Sequence, residues 1–183
     1  KAERDELIDE DNRSEKFIKK YVGAQEFLKG KNRWCLWITD KDKSEAFKIK
    51  SINNRIKKVE NFRMQSKASS TQNSVFKKHK FIQIQHEPDN VLFIPAVSSE
   101  NRFYIPIGFF SSECVINNRG YGIYNPPTYV FSIISSRMHM VWVKAIGGRL
   151  KTDYNYSSSF CYNAFPLPDI SNEQIKLLEK NAL

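Results

Sequence analysis

Lys80-Phe81-Ile82-Gln83-Ile84-Gln85, then Val91-Leu92-Phe93-Ile94-Pro95-Ala96-Val97, then Phe103-Tyr104-Ile105-Pro106-Ile107-Gly108-Phe109-Phe110 are three neighbouring runs dense in aromatic and β-branched residues. The first alternates polar and apolar side chains, the signature of a half-buried strand. Pro88-Asp89-Asn90 supplies a turn, and Ser98-Ser99-Glu100-Asn101 a short connection. The runs predict an antiparallel meander, and with it a sheet at the centre of the fold.

Helices are expected around that sheet. Ser14 can cap a helix carrying Phe17, Tyr21, Ala24 and Leu28 at helical spacing, with Gly30 as its stop. Arg33 to Thr39 reads as a strand. Lys43 to Met64 puts Ile49, Ile52, Ile56 and Val59 on one helical face and Lys48, Lys50, Arg55, Lys57 and Lys58 on the other. Such a basic face is either solvated or a phosphate contact. Gln65 to Asn73 reads as a loop. Pro126-Pro127 opens a largely buried helix over Val130 to Ile146, which Gly147-Gly148 ends. Arg149 to Tyr162 is extended, Pro166 and Pro168 break the chain, and Ser171 caps a last helix bearing Ile175, Leu177 and Leu178. The fold class is α+β: an antiparallel or mixed β-sheet core with flanking helices.

A net charge of +9 favours a polyanionic partner, nucleic acid being the commonest. The 13% aromatic content suits both a sheet core and base stacking. Cys35, Cys114 and Cys161 are far apart and unaccompanied by histidine, so no metal site is expected, and free thiols fit a reducing cytoplasm. No apolar run has the length of a membrane span and no signal peptide is visible, so no membrane partner is expected. Residues 1–13 read as a solvated lead-in from a preceding domain. A start at Lys1 and a helix running to Leu183 are read as marks of a piece of a longer chain.

No catalytic constellation emerges. Asn125-Pro126-Pro127 resembles the motif with which amine-directed DNA methyltransferases hold an extruded base, but Thr128 stands where an aromatic is needed, and no strand with a glycine-rich turn precedes it. Pro88-Asp89 lacks the second acid and the lysine of a metal-dependent nuclease. His79, His86 and His139 have no triad-like company, and Ser157-Ser158-Ser159 lacks the frame of an exposed nucleophile. What remains is Arg149, Lys151 and Asp153, which share a face if the segment is one strand. A lysine can donate to guanine O6 and N7, and an aspartate can accept from cytosine N4. An ordinary same-face salt bridge is the competing reading.

Ser135-Ser136-Arg137-Met138-His139-Met140-Val141-Trp142, continuing through Gly147-Gly148-Arg149-Leu150-Lys151-Thr152-Asp153-Tyr154-Asn155-Tyr156-Ser157, resembles the target-recognition region of MmeI-like DNA methyltransferases. Tyr162 to Pro168, Tyr21 to Glu26 with Arg33 to Trp37, and Ile94 to Gly108 resemble other blocks of that region. The Lys43–Met64 helix matches no block. The resemblance implies a DNA target-recognition domain over 14–168 and the start of a helical C-terminal domain over 169–183. It implies a parent protein that methylates adenine N6 with S-adenosylmethionine and possesses nuclease parts in some relatives. No cofactor and no catalytic residue are expected in this piece; the partners are double-stranded DNA and the parent's other domains. Lys151 and Asp153 are then the base-reading pair. Arg102, Arg137, Lys144, Arg149, Tyr154 and Tyr156 are the expected backbone or register contacts. Two rival readings are a free-standing enzyme using Asn125 or Asp89, and a nonspecific RNA- or single-strand-binding module.

Overall fold

The structure, a computed structural model, describes residues 2–84, 86–167 and 169–182. In chain order the elements are α1 (Ala2–Glu10), β1 (Ile18–Val22), α2 (Ala24–Lys29), β2 (Trp34–Leu36), α3 (Lys43–Ala46), α4 (Lys50–Met64) and α5 (Ser69–Gln72). They are followed by β3 (Val91–Pro95), β4 (Val97–Ser98), β5 (Gly108–Phe110), β6 (Cys114–Ile116), β7 (Gly120–Tyr124), α6 (Thr128–Ile134), α7 (Arg137–Ile146), β8 (Gly148–Leu150), β9 (Asp153–Asn155) and α8 (Asn172–Lys180). The chain divides into two units, one of residues 1–21 and 32–84, the other of 22–31 and 85–183. The α+β expectation is met.

In the first unit, Phe17, Ile38, Ala46, Ile49, Ile52 and Ile56 form the core. The expected helix over 14–30 is confined to α2. Ile18 to Val22 instead pairs antiparallel with β2, Ile18 opposite Leu36 and Lys20 opposite Trp34. The physical reason is the β-branched and aromatic character of Ile18, Tyr21 and Val22, with Gly23 separating them from the helix. Gly30 ends α2 as expected, at φ 62 in the left-handed region. The helix expected over 43–64 is broken at Ile49, whose extended backbone (φ −84, ψ 112) starts α4. Residues 2–10, expected as a solvated lead-in, form α1, which buries Leu7 and pairs Glu3 with Arg55 at 2.5 Å.

Lys80 to Ile84 forms no strand; Gln85 lies outside the described residues, as does Pro168. Ring packing replaces the ladder there. Phe81 stacks on Tyr21 at 5.7 Å and on Trp37 at 5.9 Å between centroids. Arg63 holds the preceding segment to α4. Its guanidinium donates to the carbonyls of Ser74 (2.9 Å), Lys77 (2.8 Å) and Lys80 (2.6 Å). The Ser74 and Lys77 carbonyls also accept the Lys77 N–H (3.0 Å) and the Lys80 N–H (2.8 Å), so the arginine fills their second lone pairs and clamps this irregular stretch.

In the second unit β3 is central. It pairs antiparallel with β5 (Val91 opposite Phe110) and with β7 (Val91 opposite Tyr124). Its alternation serves two cores: Val91 and Phe93 pack with Val22, Cys114 and Ile116, while Leu92 and Ile94 pack with Ile105, Ile134, Met140, Val143, Tyr154, Tyr156 and Cys161. At Gly120 a Cβ would lie 2.2 Å from the Phe93 ring, so only glycine permits that approach. The sheet order β5-β3-β7 corrects the simple meander. Only Gly108 to Phe110 of the run 103–110 joins the sheet, since Pro106 has no N–H to give a ladder. The helix expected over 130–146 is two helices, because Ser135 and Ser136 turn back on the backbone: Ser135 Oγ donates to the Phe131 carbonyl (2.7 Å), and Ser136 Oγ accepts from His139 N (3.1 Å) as the cap of α7. Ser171 caps α8 as expected, in a reciprocal pair with Gln174. Ser132 Oγ of α6 donates to the Leu178 carbonyl of α8 at 2.7 Å.

Replacing Arg63 by Ala should cost about 2–4 kcal/mol of unfolding free energy, on the scale of charge-assisted bonds left unmade. Arg63→Lys should recover little of it, a lysine having no fork to span three carbonyls. Urea denaturation, with limited proteolysis across residues 66–80, checks both.

Candidate nucleic-acid interface

α7 has two faces. His139, Met140 and Val143 are buried. Arg137, Val141 and Lys144, at i, i+4 and i+7, form a stripe in solvent. The buried face is fixed by polar and aromatic contacts. His139 Nε2 and the Tyr156 hydroxyl lie 3.0 Å apart in the core, and the imidazole meets the Phe165 ring edge-on at 4.7 Å. Burial pushes the His139 pKa down to about 4 and raises that of Tyr156, so both are neutral at pH 7.

The exposed stripe forms one wall of a broad cleft of about 950 Å³. The other wall is the loop Asn101 to Pro106. Arg102, Arg137 and Lys144 therefore line one concavity, and among the described residues no carboxylate lines it with them. The described residues supply no ion-pair partner to any of these three cations. Positive charge is thus concentrated in the lining of this cleft.

The same unit carries a second feature. The segment 149–155, expected as one extended strand, is a hairpin. β8 and β9 pair with Leu150 opposite Asp153 and Arg149 opposite Tyr154, so Lys151-Thr152 is a two-residue turn. Arg149, Lys151 and Asp153 consequently do not share a strand face, and the same-face salt-bridge alternative falls with it. Lys151 is exposed at the apex, at φ 57 in the left-handed region. Asp153 is half-buried, and its Oδ1 accepts a long bond (3.4 Å) from the Glu100 N–H. β9 also pairs with β4, Ser98 opposite Tyr154, which sets the hairpin beside the 99–102 loop. The Lys151/Asp153 pair and the Arg102 end of the cleft are therefore neighbours.

The other expected contacts fall differently. The Arg149 guanidinium lies 4.0 Å over the Tyr154 ring and donates to the Thr152 carbonyl at 3.2 Å, so it braces the hairpin. Tyr154 and Tyr156 are in the core, 5% and 2% exposed. Asn125 and Pro126 form the turn into α6, with Asn125 at φ 46. Residue-by-residue reading missed Phe103 and Tyr104, which line the cleft. The available signal was Pro106, which argues against a strand through them.

This architecture, a small-sheet α+β unit with a carboxylate-free cationic cleft beside an exposed hairpin tip, defines a recognition domain in which the described residues form no metal-ligand cluster. The chain belongs to the MmeI target recognition domain family, whose model matches residues 1–169. It is 40% identical over 170 residues to DNA methyltransferase A of Bacillus subtilis (strain 168), covering 91% of this chain and 19% of that protein. It also superposes on the Type IIL restriction-modification enzyme MmeI solved in complex with DNA, with a TM-score of 0.93, 38% identity, and coverage of 99% of this chain and 24% of that one. The chain thus spans a fifth to a quarter of the relatives it matches.

The His139 environment sets a pH dependence. With a folded pKa near 4 and an ordinary value of 6.5, the unfolded state binds more protons between those limits. Stability is therefore full above pH 6.5 and falls as pH drops through about 4. Urea midpoints at pH 7.5 and 5 should differ for the native chain and converge for His139→Gln, which starts less stable.

Proposed function

We propose that this chain is the sequence-specific double-stranded DNA recognition module of a site-specific DNA adenine-N6 methyltransferase of the restriction–modification type. The observation that carries the reading is the juxtaposition of three unpaired cations in one carboxylate-free cleft with the Lys151/Asp153 hairpin tip. Arg102, Arg137 and Lys144 would hold phosphates and set register. Lys151 would donate to guanine O6 and N7, and Asp153 would accept from cytosine N4, in the major groove. Arg149 would act mainly by bracing the hairpin. Family membership and the DNA complex of the similar enzyme support this assignment.

The partners in this reading are duplex DNA and the remaining domains of a longer protein. S-adenosylmethionine would be the methyl donor. The strand–Gly23–helix passage from β1 to α2 holds a single glycine where a cofactor-binding turn uses several, and Asn125-Pro126-Pro127 is occupied in turning the chain into α6. No transfer step is assigned to these side chains. No helix among the described residues is long and apolar enough to cross a membrane. Cys35, Cys114 and Cys161 form no disulfide, which fits the cytoplasmic location of this reading.

Mapping methylated sites with the full-length protein tests the base-reading pair. Substituting Lys151 or Asp153 should change which base is accepted at one position and weaken the original site by about 1–3 kcal/mol. Unchanged specificity in both variants would remove the pair from that role.

The phosphate contacts have a separate signature. Arg137→Gln and Lys144→Gln should each lower the magnitude of the log K against log [salt] slope by about 0.9 while leaving base preference intact. Exposed Phe103 and Tyr104 would also suit stacking on single strands. In the same titrations duplex competitor should outcompete single-stranded; the reverse order, without sequence dependence, would favour the single-strand reading.

A further inference from the structure

Phe103 is 83% exposed and Tyr104 52%, yet the loop that carries them is anchored at both ends. Arg102 N donates to the Ser99 carbonyl at 3.1 Å, and Ile105, the next residue after the pair, is 3% exposed in the core. The rings are thus held in water by a pinned loop. Phe109, a few residues on, shows the ordinary alternative, stacking on Phe131 at 5.5 Å. Neither Phe103 nor Tyr104 meets another ring among the described residues. Leaving a phenylalanine in water forgoes the hydrophobic gain of burying it. Here it does so in a cleft whose charged side chains are Arg102, Arg137 and Lys144.

Cations beside exposed rings match a ligand that is anionic outside and flat and apolar within. A duplex has that cross-section: phosphates on its rim and base faces inside the stack. An acidic protein surface would meet the cations but offers the rings no such slot.

We propose that Phe103 is a wedge that enters the bound duplex and parts a base step, with Tyr104 lining the groove wall behind it. This rests on the duplex-recognition reading above. Arg102, adjacent in sequence, would fix the phosphate next to the parted step. An apolar side chain inserted between bases unstacks and kinks the duplex, which lowers the work of extruding a neighbouring base.

The test uses the full-length protein and its own methylation site, in duplexes carrying 2-aminopurine at single positions flanking the target base and on the opposite strand. With the native protein, fluorescence should rise severalfold at one step. Phe103→Ala, a surface change whose fold is checked by circular dichroism, should lose that rise while keeping the salt slope of binding. Phe103→Met, which retains an apolar probe, should recover part of it. An equal rise for Phe103→Ala and the native protein, or native binding with no rise at any flanking position, overturns the wedge and leaves duplex recognition standing. Native protein that binds no duplex but captures an acidic protein overturns both.

Discussion

The contact between His139 and the Tyr156 hydroxyl, 3.0 Å and buried, joins the first turn of α7 to the chain just past β9. With His139, Met140 and Val143 committed to the core, helical geometry leaves Arg137, Val141 and Lys144 no place but the outside, in one row. Gly147 tightens the connection. A Cβ there would lie 2.4 Å from the Val143 carbonyl, so glycine alone lets the chain leave α7 directly into β8. β9 then returns Tyr154 and Tyr156 to the core that α7 covers. Cleft wall and hairpin are in this sense two outer surfaces of one packed cluster.

Charge is distributed on the same logic. The chain carries +9 overall, but many cations are already engaged. Lys16 bridges Asp42 and Glu45, Arg55 meets Glu3, Lys78 meets Glu60, Lys80 meets Asp40, and Arg63 is enclosed by carbonyls. Such exposed pairs contribute little stability, but they remove local field. Among the described residues the cleft cations form no such pairs, and so a net charge spread over the whole sequence becomes a local attraction at one surface.

These two constraints explain what the sequence disclosed. Strand β3 was legible because Val91 to Ile94 is apolar on both faces, as a central strand must be. The stop at Gly30 and the start at Ser171 were legible because cap chemistry is local. The strand at Ile18 to Val22 was hidden: Phe17, Tyr21, Ala24 and Leu28 have helical spacing, and the local β character of Ile18, Tyr21 and Val22 outweighs it once the partner strand at Trp34 to Leu36 is in place. The hairpin was hidden for another reason. Leu150-Lys151-Thr152-Asp153 has neither glycine nor asparagine at the turn centre, so nothing local announces a reversal. The cleft could not be read from spacing at all, since Arg102 and Arg137 are distant in sequence and are brought together by folding, with Ile105 and Met140 in one core cluster. Sequence reading singled them out only as basic residues; the geometry of the cleft supplies the physical reason.

The hairpin apex shows why such a tip can vary in chemistry without disturbing its support. Lys151 sits in left-handed backbone, which costs a non-glycine residue about 1–2 kcal/mol. Glycine would relieve that cost, but it would leave the apex without a side chain. The two residues flanking the turn, Leu150 and Asp153, are held opposite one another by the ladder, and Arg149 clasps Tyr154 beneath them. The turn geometry is therefore enforced from below rather than by residue 151 itself. A change there alters what the tip offers to a ligand, while the core made by Tyr154, Tyr156 and His139 remains as it was. Asp153 is less free, because its carboxylate also accepts from the Glu100 N–H and so helps position the loop that leads to Arg102.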